Sequence, residues 1–212
     1  MSFRWPAALV AGALATSPVL AQTAPQAGDP AKAQALVTQV CSGCHGPDGN
    51  STQAANPSLA GQHAAYTLKQ LMNFRPRDGK APERPSPVMG AIVAQVPADQ
   101  LRGLAAYFEG QTPRSRAARD PQLVKLGQAL YRGGNAARGI AACTACHGPS
   151  GAGVPAQFPR LAGQQPEYTV AQLKAFRVGE RSNDPNRAMR SLAERLTDRE
   201  IAAVAEYIAG LR

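Results

Sequence analysis

Cys41-Ser42-Gly43-Cys44-His45 and Cys143-Thr144-Ala145-Cys146-His147 are two copies of one pattern, C-x-x-C-H. Each runs on into Gly-Pro-x-Gly, at Gly46-Pro47-Asp48-Gly49 and Gly148-Pro149-Ser150-Gly151. C-x-x-C-H is the attachment signature of a c-type haem. Two thiols on one helical turn can each add to one porphyrin vinyl group. The histidine that follows then lies under the iron as proximal ligand. Cys41, Cys44, Cys143 and Cys146 therefore read as covalent attachment points, and His45 and His147 as axial ligands. Two haem c groups are expected. Other uses of four cysteines fit less well. Disulfides need no adjoining histidine, and thioredoxin-like pairs accompany a βαβ pattern that this sequence lacks. A zinc site takes four ligands, and each cluster offers three.

The chain opens on a short basic start (Met1 to Trp5), a small apolar run (Pro6 to Ala15) and a small-residue cleavage site, Val19-Leu20-Ala21. This is the pattern of a secretory leader, residues 1–21, with a mature start expected at Gln22. The apolar run is short of the ~20 residues that a spanning helix needs. Export to the periplasm is expected, and it agrees with haem attachment outside the cytoplasm. The formal charge is +9, and loss of Arg4 leaves 22 basic against 14 acidic side chains, or +8. Haem propionates would bring the loaded protein nearer neutrality. Export excludes a nucleic-acid partner. The basic balance suits an acidic protein partner, peripheral contact with anionic lipid headgroups, or solubility alone. Aromatic residues are 5% of the chain, a thin core for two domains of roughly 90–100 residues each. A haem in each half would supply the missing apolar volume.

An internal repeat sets the architecture. An offset of 102 superposes both haem motifs, Pro57 on Pro159, Leu59 on Leu161, Tyr66 on Tyr168, Phe74 on Phe176 and Arg75 on Arg177. The offset then drops to 100 and pairs Met89 with Met189 and Tyr107 with Tyr207. The expected divisions are a first domain at 22–111, a linker at 112–120 and a second domain at 121–212. Within the linker, Thr112 to Arg119 is polar and basic. Asp29-Pro30 and Asp120-Pro121 pair an N-cap with proline at the first helical position, and are expected to open helices running into the haem motifs. Tyr66 to Phe74 and Tyr168 to Phe176 have helical spacing. Thr197-Asp198-Arg199-Glu200 is a capping box for a last helix ending near Gly210, with a counterpart from about Ala98 to Gly110. No alternating run is long enough for a sheet, so the fold class is all-α.

The repeat also selects the sixth ligands. Met72 falls on Lys174 and reads as core. Met89 falls on Met189, 44 and 42 residues after their own histidines. A thioether suits low-spin haem iron. His63 falls on Gln165, so a repeated ligand role is excluded, and a solvent-facing helix start is expected for it. Tyr66, Tyr168, Arg75 and Arg177 are repeated polar groups open to two readings: contact with haem propionates, or packing and a solvated face. Arg187 and Arg190 flank Met189, and would raise the second potential if they lie near that haem.

With these residues in place, each half resembles a class I cytochrome c domain, and the tandem resembles the dihaem cytochrome c4 family. The resemblance is carried by Leu130-Tyr131-Arg132-Gly133-Gly134, Ala142 to Gly151, Pro159 to Gln164, Tyr168 and Phe176-Arg177. It covers essentially all of the mature chain. It implies two tandem helical domains, each wrapped around one covalent haem. It implies carbonyls of Pro57 and Pro159 on the proximal histidines, and axial sulfur from Met89 and Met189. It further implies a monomeric periplasmic protein, not itself an enzyme, carrying single electrons from a respiratory donor complex to a terminal oxidase. The alternative is a dihaem subunit of a flavin- or sulfur-compound dehydrogenase. A peroxidase role fits poorly, because both halves keep a candidate methionine.

Overall fold

The computed structural model describes Met1 and residues 30–212. The leader, the tail Gln22 to Gly28 and the Asp29 cap lie outside the described residues. Ten α-helices carry these residues: α1 (Pro30–Leu36), α2 (Ser42–His45), α3 (Ala64–Asn73), α4 (Pro87–Ala94), α5 (Gln100–Glu109), α6 (Pro121–Gly133), α7 (Thr144–His147), α8 (Pro166–Val178), α9 (Ala188–Ala193) and α10 (Asp198–Gly210). No strand occurs among the described residues, only isolated bridges such as Asn135 with Ile140.

Each half is built on a crossing of its first and last helices. In the first, Ala33 and Val37 meet Leu101, Leu104 and Phe108, all nearly inaccessible. In the second, Leu130 and Tyr131 meet Val204, Tyr207 and Ile208. The second crossing is close because α6 carries Gly127 there. A Cβ at Gly127 would overlap the carbonyl of Ala203 and lie 2.9 Å from Tyr207 Cβ. Gln34-Ala35-Leu36 and Gln128-Ala129-Leu130 align at an offset of 94, which places Ala33 opposite Gly127. At the offset of 100, Gly103 takes the place of Ala203. The small residue at the crossing has changed helix between the halves.

The helix openings hold where they can be seen. Asp120 accepts from the N–H groups of Gln122 and Leu123, with Pro121 in the first turn. Thr197 and Glu200 form the full capping box. The entries to the haem motifs differ, and this corrects the expectation of two alike. In the first half α1 passes through a π-helical turn, Val37–Cys41, directly into α2. In the second half α6 stops at Gly133, because Gly134 takes φ +65, and a short loop closed by Asn135 and Ile140 precedes α7.

The halves meet through paired contacts with near two-fold symmetry. Gln62 accepts from Arg160 N and donates to Arg160 O, both at 2.9 Å. Gln164 does the same with Ser58, at 2.9 and 3.0 Å. Residues 112–119 have no regular structure but are not a loose tether. Arg116 donates to the carbonyls of Ser51 and Gly163, one in each half. Arg114 pairs with Asp48, and Arg119 with Glu167 and Glu206. No helix of the described residues is long and apolar enough to cross a membrane.

Candidate haem-binding sites

Both sites are assembled by the same backbone logic. The chain leaves α2 and α7 at Gly46 (φ +78) and Gly148 (φ +76), a conformation that L side chains resist. Three residues on, Gly49 and Gly151 each turn a carbonyl inward. Gly49 O accepts from Leu59 N at 2.7 Å and Ala60 N at 3.1 Å; Gly151 O accepts from Leu161 N at 2.8 Å and Ala162 N at 3.1 Å. These bonds bring the Pro-x-Leu loops back over the histidines. His45 Nδ1 then lies 2.9 Å from Pro57 O, and His147 Nδ1 lies 3.0 Å from Pro159 O.

A carbonyl can only accept, so Nδ1 carries the proton and Nε2 keeps its lone pair. Both rings are more than nine-tenths buried. Burial holds them below the ordinary imidazole range, partly opposed by the proline carbonyls. A neutral ring with a fixed tautomer is what an iron ligand requires.

None of the four cysteines forms a disulfide. Burial pushes Cys41 and Cys143 up to about 11. A redox-active C-x-x-C needs the reverse, a stabilised thiolate. Among the described residues no group of three or more His, Cys, Asp or Glu could hold a metal ion. The alternatives weighed from sequence thus find no support in the geometry.

Met89 and Met189 occupy equivalent places, the first turn of a short helix. Ser86 caps α4 and accepts from Met89 N at 3.2 Å. Before α9, Asn186 and Arg187 take φ of 53 and 57, and Met189 packs against a cluster containing Leu173, Leu196 and Ile201. Met72 packs on the first core, as expected.

The repeated arginines hold the chain at the end of, or just after, these methionine helices. Arg75 donates to the carbonyls of Val93, in the last turn of α4, and Val96, just past it. Arg177 reaches Leu196 O and pairs with Asp198 at 2.6 Å. The tyrosines lie between the halves: Tyr66 accepts from Arg181 and Tyr168 from Arg84, both at 2.9 Å. Sequence reading did not single out Arg84 or Arg181. One other expectation is corrected. His63 does precede α3, but its Nε2 lies 2.9 Å from Ala152 O of the other half instead of facing only solvent. Arg190 pairs with Asp184 at 2.7 Å and Arg187 with Glu194 at 2.9 Å. The charges flanking Met189 are therefore compensated by their own carboxylates.

The residues present fit a haem in each half. Thiols, a tautomer-fixed histidine and a methionine helix recur together. Arg160 Nε is buried with no acceptor among the described residues, an orphan donor of the kind an anionic side group satisfies.

The family model described as cytochrome c matches residues 30–111 and again 124–212. Cytochrome c4 of Thiocapsa roseopersicina is 47% identical over 190 residues, covering 89% of this chain and 95% of that one. The chain belongs to the cytochrome c4 family. The crystal structure of reduced recombinant cytochrome c4 from Pseudomonas stutzeri superposes with a TM-score of 0.81 at 41% identity, covering 88% of this chain and 100% of that chain. A relative from Stutzerimonas stutzeri strain A1501, described as a thiosulfate dehydrogenase electron acceptor, is 38% identical over 221 residues, 99% of this chain and 96% of that one. As a cytochrome c4, the chain is a dihaem c-type electron carrier, and its partners are redox proteins.

Proposed function

We propose that this chain works in the periplasm as a monomer, taking single electrons from a respiratory donor complex and delivering them to a terminal oxidase. One observation carries the assignment of the iron ligands. In both halves a buried histidine donates an Nδ1–H hydrogen bond to a proline carbonyl, and a methionine stands in the first turn of a helix further along the chain. Cys41 and Cys44, and Cys143 and Cys146, would hold the two haems. His45 and His147 would offer Nε2, and Met89 and Met189 their sulfur. When bound, the haem supplies a one-electron iron couple.

The protein's own part would be to offer each haem one histidine and one methionine and to hold both in place. Pro57 and Pro159 orient the imidazoles, Arg75 holds the end of α4, and Arg177 holds the connection from α9 into α10. A haem held by both a histidine and a methionine would leave no place for a substrate to bind and react, and so only electron exchange. Two sites in one chain let a donor dock on one half and an acceptor on the other. The leader pattern and the absence of a membrane-crossing helix among the described residues support a periplasmic protein.

A second reading has its own observation. Relatives described as thiosulfate dehydrogenase electron acceptors are 38% identical to this chain. Under it, the donor is a sulfur-compound dehydrogenase. Stopped-flow mixing separates the readings. The reduced holoprotein is expected to be reoxidised by oxidase-containing membranes and re-reduced by quinol-oxidising membranes. Re-reduction only by a thiosulfate dehydrogenase with its substrate would favour the second reading, and no reoxidation by oxidase membranes would overturn the first.

A further inference from the structure

The two methionine helices differ in what they show to solvent. Residues 85–98, which hold α4 and its flanks, include no Asp, Glu, Lys or Arg, in a chain of which 17% is charged. At the offset of 100, residues 185–198 carry Arg187, Arg190, Glu194, Arg195 and Asp198 instead. Ion pairs tie Arg187 to Glu194 and Arg190 to Asp184. The inner side of α4 is packed: Val93 is buried, and Gly90 faces the end of α3, where a Cβ would lie 3.6 Å from Phe74 O. On the outer side Pro85, Pro87, Val88, Ala91 and Ala94 are exposed, Val88 at 67%. One exposed valine needs no explanation, but an uncharged apolar face on the helix of an iron-ligand candidate does.

The chemistry of the face selects what covers it. A lipid surface takes up helices with large apolar or aromatic side chains backed by cations. Here the exposed side chains are proline, alanine and one valine, and no cation lies between Arg84 and Arg102 along the chain. A second copy brings the same positive charge, +9 over the full sequence. A helix of eight residues, about 12 Å long, is also too short for the ~800 Å² per partner of a stable interface. A redox protein meets both constraints, because electron-transfer encounters are small and short-lived. A charged group pressed onto this face would lose its water and meet no counter-charge, so the partner's contact must itself be apolar. The net positive charge of the chain attracts a partner of net negative charge at long range, and leaves the uncharged face to make the contact.

We propose that the exposed face of α4 is the docking surface for one redox protein, of net negative charge and with an apolar contact face. The proposal rests on the reading of this chain as an electron carrier with Met89 as an iron ligand. The charged α9 offers no such face, so the partner seated on α4 does not dock equally on the second half.

The test is stopped-flow electron exchange of the holoprotein with two probes, oxidase-containing membranes and quinol-oxidising membranes. Haem content and potentials are checked in every variant, and rates are compared at equal driving force. Val88→Glu/Ala91→Glu and Val88→Lys/Ala91→Lys both place charge on the face. Each is expected to slow exchange with one probe about tenfold and to leave the other within about twofold. The matching change on the second half, Ala188→Glu/Ser191→Glu, is expected to leave the affected probe within about twofold. Paired α4 variants that slow neither probe, or both alike, would overturn the proposal. So would a lysine variant that speeds what glutamate slows, since charge alone would then account for the effect. Pelleting with phosphatidylcholine vesicles that both paired variants lose would give the face to lipid, and a dimer in sedimentation that both dissociate would give it to a second copy; either result overturns the proposal. Should the paired variants fail to fold, Val88→Gln is expected to slow one probe about threefold, and unchanged rates would overturn the proposal. An unaltered holoprotein that exchanges with neither probe would overturn the proposed function itself, a failure visible before any variant is mixed.

Discussion

At the scale of single residues, side chains here act mainly by fixing backbone. Glu200 shows how much one group can do. Burial would raise its carboxyl, but Thr197 and Arg138 outweigh burial and hold it below the ordinary range. A carboxylate with a depressed folded value contributes stability above its unfolded value, ~4.5, and loses it as pH falls through the folded value. Glu200→Gln is therefore expected to lose less stability than the unaltered protein between roughly pH 7 and pH 3 in chemical denaturation. Equal acid slopes would count against the assignment. Thr197→Ala is expected to cost about 1 kcal/mol at neutral pH. The haem ligands were legible at this scale because their chemistry dictates spacing. Arg84 and Arg181 were not. They lie 97 positions apart, inside the gap where the repeat offset changes from 102 to 100, so neither offset superposes them. The inward carbonyls of Gly49 and Gly151 were equally hidden, since they follow from loop closure and leave no periodic trace.

At the scale of elements, caps and periodicity gave α3, α5, α8 and α10 close to their observed bounds. The entry to the second haem motif was misjudged because Gly133-Gly134 ends α6 early, and a glycine pair inside a motif-rich stretch does not announce which residue takes positive φ. The helix crossing was also invisible, because glycine and alanine exchange helices between the halves. It makes a firm prediction. Gly127→Ala places a methyl group against the Ala203 backbone and 2.9 Å from Tyr207 Cβ, with helix on both sides and no room to yield. It is expected to destabilise the protein by about 2–3 kcal/mol in urea denaturation. A loss under about 0.5 kcal/mol would mean that the crossing relaxes.

At the scale of the molecule, the two halves behave as one body because backbone at each pseudo-symmetric position is clasped from the other side. Gln62 and Gln164 do this in pairs, and Arg116 joins Ser51 to Gly163. The unaltered protein is expected to unfold in one calorimetric transition. Gln62→Ala/Gln164→Ala/Arg116→Ala is expected to unfold in two, with a larger radius of gyration by X-ray scattering. A single transition in the triple variant would show that the remaining interface suffices. The tandem architecture was legible from the repeat alone. How the halves face each other was not, since contacts between Gln62 and Arg160, or Tyr66 and Arg181, join residues that no local pattern connects.

The central claim is that both halves hold a haem with histidine and methionine ligands and so serve electron transfer alone. The absorption spectrum of the purified holoprotein, oxidised and reduced, tests it most directly. Two low-spin haems per chain are expected, both with the weak ferric band that reports sulfur bound to iron, both titrating at positive potential. A high-spin haem, or one without the sulfur band that readily binds cyanide or peroxide, would contradict the account.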